Sequence, residues 1–216
     1  MAVEIQGKVG PQLAADGSII DPRLMRDGTA AVADADGHFS ELVLRGQVYT
    51  ASTAAAGIAI VATHVSPLAA GTGTPIVGLF NPVGSGVVLK VMKVRLASVS
   101  GTPGGPFVWN VIPALAGISA AGQQGINNKT FVVGGVAKAF VGAALTGSVL
   151  ATMFGVIGGP SAIAVGAGIN SIESVIDGII QVQPGCFLGV AATAAGTTHV
   201  ASAMVTWAEA SLAVAA

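Results

Sequence analysis

The sequence predicts an all-β fold, a sandwich or barrel entered through an extended N-terminal arm, and three observations carry that prediction. Short runs rich in Val, Ile and Thr recur at near-regular spacing from Leu42 onward, separated by Pro, Gly, Ser and Thr clusters. Before them, the turn dipeptides Asp16-Gly17, Asp21-Pro22, Asp27-Gly28 and Asp36-Gly37 follow one another with no sustained apolar periodicity between them. Charge also thins abruptly, since eleven of the nineteen charged residues lie at or before Arg45. The predicted division is an arm over residues 1–42 and a β body over 43–216, with an Ala/Gly-rich insertion around 113–170.

Taken in order, the arm has little apolar surface of its own, so contacts with a partner must offset the entropy of ordering it. The first strand-like runs are Leu42 to Thr50, Gly57 to His64, Pro75 to Asn81, Val87 to Ser98 and Phe107 to Ile112. The stretch GTPIVGLFNPVGSGVVLKVMKV, residues 73–94, predicts a β-hairpin. Proline fixes its own φ and keeps Asn81 out of the α region, and Gly84 and Gly86 tolerate positive φ. Strict alternation across the second run puts Lys93 and Arg95 on one face and Lys90 on the other, a strand with a wet end.

Beyond Pro113 the pattern weakens. Asn127-Asn128 marks a turn, Thr130 to Val133 and Val136 to Val141 extend the β pattern, and Ala137 to Phe154 fits helix or strand equally. Order returns with Ser171 to Gln183, the Pro184-Gly185 turn, a short strand over Cys186 to Ala192 and a long one over His199 to Glu209. Trp207 is expected to anchor a face of that last strand, which is expected in the middle of its sheet.

Composition narrows the function classes. Charged residues make up 9% of the chain, against about 25% in ordinary soluble domains. A net charge of -1 offers no basic field to nucleic acid. So sparse a charge on a body of about 170 residues implies that identical neighbours or other proteins cover much of its surface. The single cysteine, Cys186, excludes an intramolecular disulfide and reads as a small core residue. The N-terminus lacks the basic and apolar regions of a secretory signal, so assembly in a cytoplasm is expected. Ala139 to Ile157 is 19 residues without a charge, near the length of a membrane span. Gly142, Gly147, Gly155 and the Gly158-Gly159-Pro160 stop favour a segment buried in a core or subunit interface, and no membrane partner is expected. A small membrane protein built on this segment stays as an alternative.

Residues able to carry chemistry are sparse. His38, His64 and His199 are far apart, without ligands at zinc spacing, and read as surface or loop-end residues. Asp34-Ala35-Asp36-Gly37 starts like a calcium loop but lacks the later ligands. Ser85 lies in V-G-S-G-V, not in a G-x-S-x-G elbow. Glu173 and Asp177 make a carboxylate pair that reads as a solvated edge, and the Gly-rich segments lack Gly-Lys-Ser/Thr. No enzyme activity, cofactor or metal is expected.

RLMRDGTAAVADADGHFSELVLRGQVYTAS in the arm, GTPIVGLFNPVGSGVVLKVMKV, and the closing PGCFLGVAATAAGTTHVASAMVTWAE together resemble virion structural proteins of tailed bacteriophages. The resemblance is carried by a charged N-terminal segment ending in Glu41, Arg45 and Gly46 ahead of the GTP...NP...S stretch; it covers both ends of the chain and touches 113–170 weakly. It implies a jelly-roll-like β-sandwich, a homotrimer, and a cement or decoration role on the capsid surface with the major capsid protein as partner. Under it, Arg23, Arg26, Asp27, Glu41 and Arg45 are capsid-contact candidates, and Trp109, Trp207 and Phe80 are trimer or core anchors. A head fibre or tail attachment protein binding a host-surface receptor is the alternative, for which Tyr49, Trp109 and Trp207 are the candidate sugar platforms.

Overall fold

The computed structural model describes residues 40–69, 72–113, 123–145, 151–159 and 170–212. The chain enters through a five-residue helix, α1 (Ser40–Leu44). Gly46 ends it at φ +70°, with its N–H and that of Gln47 bonded back to the carbonyls of Val43 and Leu42 at 2.8 and 3.0 Å. Glycine takes that left-handed conformation without strain. The strand expected from Leu42 therefore begins later, as β1 (Val48–Ser52).

Among the described residues eleven more strands follow: β2 (Ile58–Ala59), β3 (Val77–Phe80), β4 (Val87–Thr102), β5 (Phe107–Ile112), β6 (Gln123–Asn127), β7 (Val133–Val141), β8 (Thr152–Gly158), β9 (Asn170–Val175), β10 (Gln181–Val182), β11 (Phe187–Ala192) and β12 (Thr197–Ser211). A single 3-10 turn, Ala62–His64, interrupts the expected Gly57 to His64 run. The fold is all-β. The strands form one antiparallel sheet in the order β10-β4-β12-β1-β6-β7-β3-β11-β5-β8, with β2 added to β12 and β9 to β4. Its two ends curl toward one another and nearly close a barrel, so the opposed layers of a sandwich are here parts of one sheet. The last strand lies inside the sheet as expected, with β4 on one side and β1 and β2 on the other.

Residues from β1, β3, β4, β5, β7, β11 and β12 share one interior core that includes Leu89, Val94, Phe107, Trp109, Val190 and Trp207. A second cluster, with Leu68, Phe80, Val108, Phe140 and Phe187, covers the outer face of the β3-β11-β5 region. Those strands are thus buried on both faces, which is why β5 and β11 read as nearly continuous apolar runs. Facing glycines make the second cluster possible. Gly78 pairs with Gly189 across β3 and β11, and a Cβ on either would lie 2.7 or 2.5 Å from Cζ of Phe187. The Phe187 ring fills that space and meets Phe140 edge-on at 6.0 Å.

Two expectations for residues 73–94 are corrected. The hairpin does not form: β3 pairs with β7 and β11, while β4 pairs with β12, β9 and β10. Both edges of β3 are taken, by β7 and β11, and Asn81, which is fully buried, donates its side-chain amide to the carbonyls of Val87 (2.8 Å) and Val182 (2.9 Å). That amide ties the end of β3 to β4 and β10 at the other end of the sheet. Nor are the charges split between faces. In the β4–β12 register Lys93 faces Thr206 and Val91 faces Trp207, so Met92 is an extra residue in β4, a β-bulge. Side-chain alternation inverts there: Leu89 and Val91 point inward before it, Val94, Leu96 and Ser98 after it. Lys90, Lys93 and Arg95 consequently all face outward.

Among the described residues no helix is long and apolar enough to cross a membrane. The Ala139 to Ile157 segment contains the end of β7 and most of β8.

Candidate functional site

The buried polar groups serve the fold. Glu209 on β12 is buried, and its carboxylate accepts hydrogen bonds from the backbone N–H of Val136 (2.8 and 2.9 Å) and of Ala137 (2.9 Å). Those N–H groups belong to an irregular part of β7. Gly134 pairs with Gly125 of β6 and Ala139 with Gln123, leaving 135–138 as a bulge on that edge, two of whose donors the carboxylate satisfies. Trp207, stacked on Tyr49 at 6.0 Å, sits over Gly125, where a Cβ would come within 2.3 Å of the indole.

His64 and His199 are buried rather than on the surface, and burial lowers the pKa of each below the ordinary histidine value. His38 lies outside the described residues. His199 Nε2 is 3.0 Å from Ser98 Oγ, the separation a nucleophile and its base would need. Both side chains are enclosed in the barrel with Phe107 stacked on the imidazole at 6.1 Å, so the pair is a core hydrogen bond that no substrate reaches. No cluster of three or more metal-ligating side chains occurs among the described residues. Glu173 and Asp177 do not form a dyad. Glu173 faces Arg95 across β9 and β4 and pairs with Lys93 at 2.9 Å and Arg95 at 3.9 Å, while Asp177 sits in the following turn. The basic end of β4 therefore has an acidic neighbour in the same chain.

The surface is more informative. At the β6–β7 connection Phe131 is 80% exposed at φ +58°, a conformation that strains a non-glycine residue. Ile126, Val132 and Val133 are exposed beside it, Ile126 and Val133 being cross-strand partners. Asn127 builds this tip: its side-chain oxygen accepts the N–H groups of Lys129 (2.9 Å) and Thr130 (3.2 Å), and its amide donates to the carbonyl of Gly46 (2.6 Å). Lys129 Nζ donates to the carbonyl of Leu44, itself an exposed residue. The apolar tip is thus fastened to the point where the chain leaves α1. A second exposed apolar region lies on β8 itself, where Met153, Phe154 and Val156 face solvent.

Of the capsid-contact candidates, Arg23, Arg26 and Asp27 lie outside the described residues. Glu41 belongs to α1, its side chain likewise outside them, and Arg45 is exposed between α1 and Gly46, close in sequence to the tip's anchor points. Trp109 and Trp207 lie in the interior core and Phe80 in the outer cluster. The two tryptophans are therefore closed to a sugar ring, and Tyr49 is half-buried against Trp207. The tip was missed in the sequence because Phe131-Val132-Val133 reads as the start of a strand; the Asn-Asn-Lys-Thr preceding it was the available signal.

No protein-family model matches the chain, and no curated protein or solved structure is detectably similar to it.

Proposed function

We propose that this chain is a structural virion protein that binds the outside of a phage capsid and cements its coat-protein capsomers, as a homotrimer docked through residues 1–42. The observation that carries this reading is the exposed apolar tip of Phe131, Val132 and Val133, fastened by Asn127 and Lys129 to the site where the docking segment joins the body. Exposed apolar groups on a body with so few charges mark a surface that other protein covers. The contribution would be mechanical, adding binding energy across capsomer joints against the pressure of packaged DNA.

Co-sedimentation with purified coat-protein shells tests this. The full chain is expected to pellet with shells, and a chain beginning at Leu42 to fold and self-associate but stay in the supernatant. Undiminished binding by the shortened chain would refute docking through the arm. Sedimentation should also give about three times the 21.0 kDa chain mass.

A second reading, a head fibre or attachment protein, is favoured by the same Phe131, since a receptor-binding module presents exposed aromatics at loop tips. Binding of the chain to host cells in the absence of shells would select it.

A further inference from the structure

We propose that a second copy of this chain seats on the seam of the barrel, against the free edge of β8. Among the described residues β8 pairs only with β5, and β9 and β10 pair only with β4, so the two ends of the sheet confront each other. At one end the seam is shut: a Cβ on Gly158 would lie 3.4 Å from Ile172 of β9. Toward the other end its lips part around a cavity of about 430 Å³ lined by Ile112, Phe154, Ile180, Val182 and Cys186.

Met153, Phe154 and Val156 on one lip, with Val175 and Ile179 on the other, are each more than half exposed. Together they present on the order of 500 Å² of apolar surface, at the upper end for a monomer. With the backbone edge, that approaches the roughly 800 Å² per partner of a stable interface.

Charge points to a copy of the chain itself as the occupant. Edge strands are normally protected by Lys, Pro, a short length or β-bulges; β8 has register shifts at Phe154 and Ile157, but ATMFGVIGG, residues 151–159, has no charge and no proline. The charged groups on the β9 side of the seam are Asp177, exposed in the β9–β10 turn, Lys90, whose stem packs against Gly178, and the Lys93–Glu173 ion pair beside Val175. With the two signs in balance, two copies can meet without like-charge opposition, while a strongly charged partner would find no counter-field. Pairing of an uncharged strand edge with another strand satisfies its outward N–H and C=O groups. The inference rests on the self-association in the reading above and names its surface; its test contains no coat protein, so its failure and that of capsid binding are separate results.

The experiment is sedimentation velocity of the full chain over a wide concentration range, beside Phe154→Lys, Ile179→Lys and Phe131→Asn variants. Wild type and Phe131→Asn are expected to associate. Each lysine variant should dissociate at concentrations at least about tenfold higher, as loss of an interface anchor requires, with an unchanged far-ultraviolet spectrum. Should either lysine variant fail to fold, Val156→Thr, nearly the same shape, is expected to keep the fold and weaken association. Maleimide labelling of Cys186, which lines the cavity, is expected to be slow in the associated wild type and fast in the lysine variants. A monomeric wild type, lysine variants that associate like wild type, dissociation by Phe131→Asn alone, or equal Cys186 labelling in all forms would overturn the proposal.

Discussion

The carboxylate of Glu209 near the end of β12 is bonded by both of its oxygens to the backbone N–H of Val136, 73 residues away in β7. A side chain here does the work of a neighbouring strand: the bulge in β7 leaves backbone donors inside the protein, and the carboxylate accepts them. Glu209→Ala leaves the N–H groups of Val136 and Ala137 without acceptors and is expected to cost about 3 kcal/mol of stability. Glu209→Gln keeps one acceptor oxygen and should cost roughly half as much. Urea denaturation of both variants measures this; equal losses would mean that packing of the side chain, not its oxygens, matters.

Stability should fall with acidity in a defined direction. His64 and His199 have pKa values lowered by burial, so below about pH 6.5 the unfolded chain binds protons that the folded chain does not. The associated stability is fully present above that pH and is lost as pH falls toward the lowered folded values. Chemical denaturation at a series of pH values should show this decline, and His199→Gln should flatten it. An unchanged slope in that variant would remove His199 from the account.

The paired glycines of β3 and β11 predict a size threshold. Gly189→Ala places a methyl group 2.5 Å from Cζ of Phe187 and should cost about 1–3 kcal/mol through overpacking. Phe187→Leu on the same chain shortens the ring that clashes, so the double variant is expected to be more stable than the sum of the two losses implies. Additive losses would show that the two sites are not in contact.

Phe131 predicts a stabilising change. Asparagine tolerates the left-handed conformation that Phe131 holds at φ +58°, so Phe131→Asn should raise stability by about 1 kcal/mol, read as a higher thermal midpoint. Under the proposed function the same variant loses affinity for shells or receptor. Strain retained at an exposed residue is a common mark of a binding site.

Much of the barrel was legible because local pattern and final environment agree. β5, β11 and β12 sit where Phe107 to Ile112, Cys186 to Ala192 and His199 to Glu209 placed them, each a run bounded by turn residues and buried as its composition demands. Partner choice was not legible. Nothing local in Thr74 to Phe80 shows that Gly78 will face Gly189 or that Asn81 will reach Val182, since both contacts join residues over a hundred positions apart. The exposed tip was hidden for a different reason: Phe131, Val132 and Val133 have strand-like composition but point into solvent. The choice of Arg23, Arg26 and Asp27 as capsid-contact candidates rests on resemblance, and charge pattern alone names no partner.

The extra residue at Met92 makes β4 a strand of two parities. Odd-numbered side chains define its interior before the bulge and even-numbered ones after it. Deleting Met92 would leave Val91 opposite Trp207 and Lys93 opposite Thr206, so simple alternation would return with Leu89, Val91, Val94 and Leu96 still inward. The three basic residues share one face because the sequence carries one residue more than simple alternation allows, and that residue, Met92, can be lost with both parities kept.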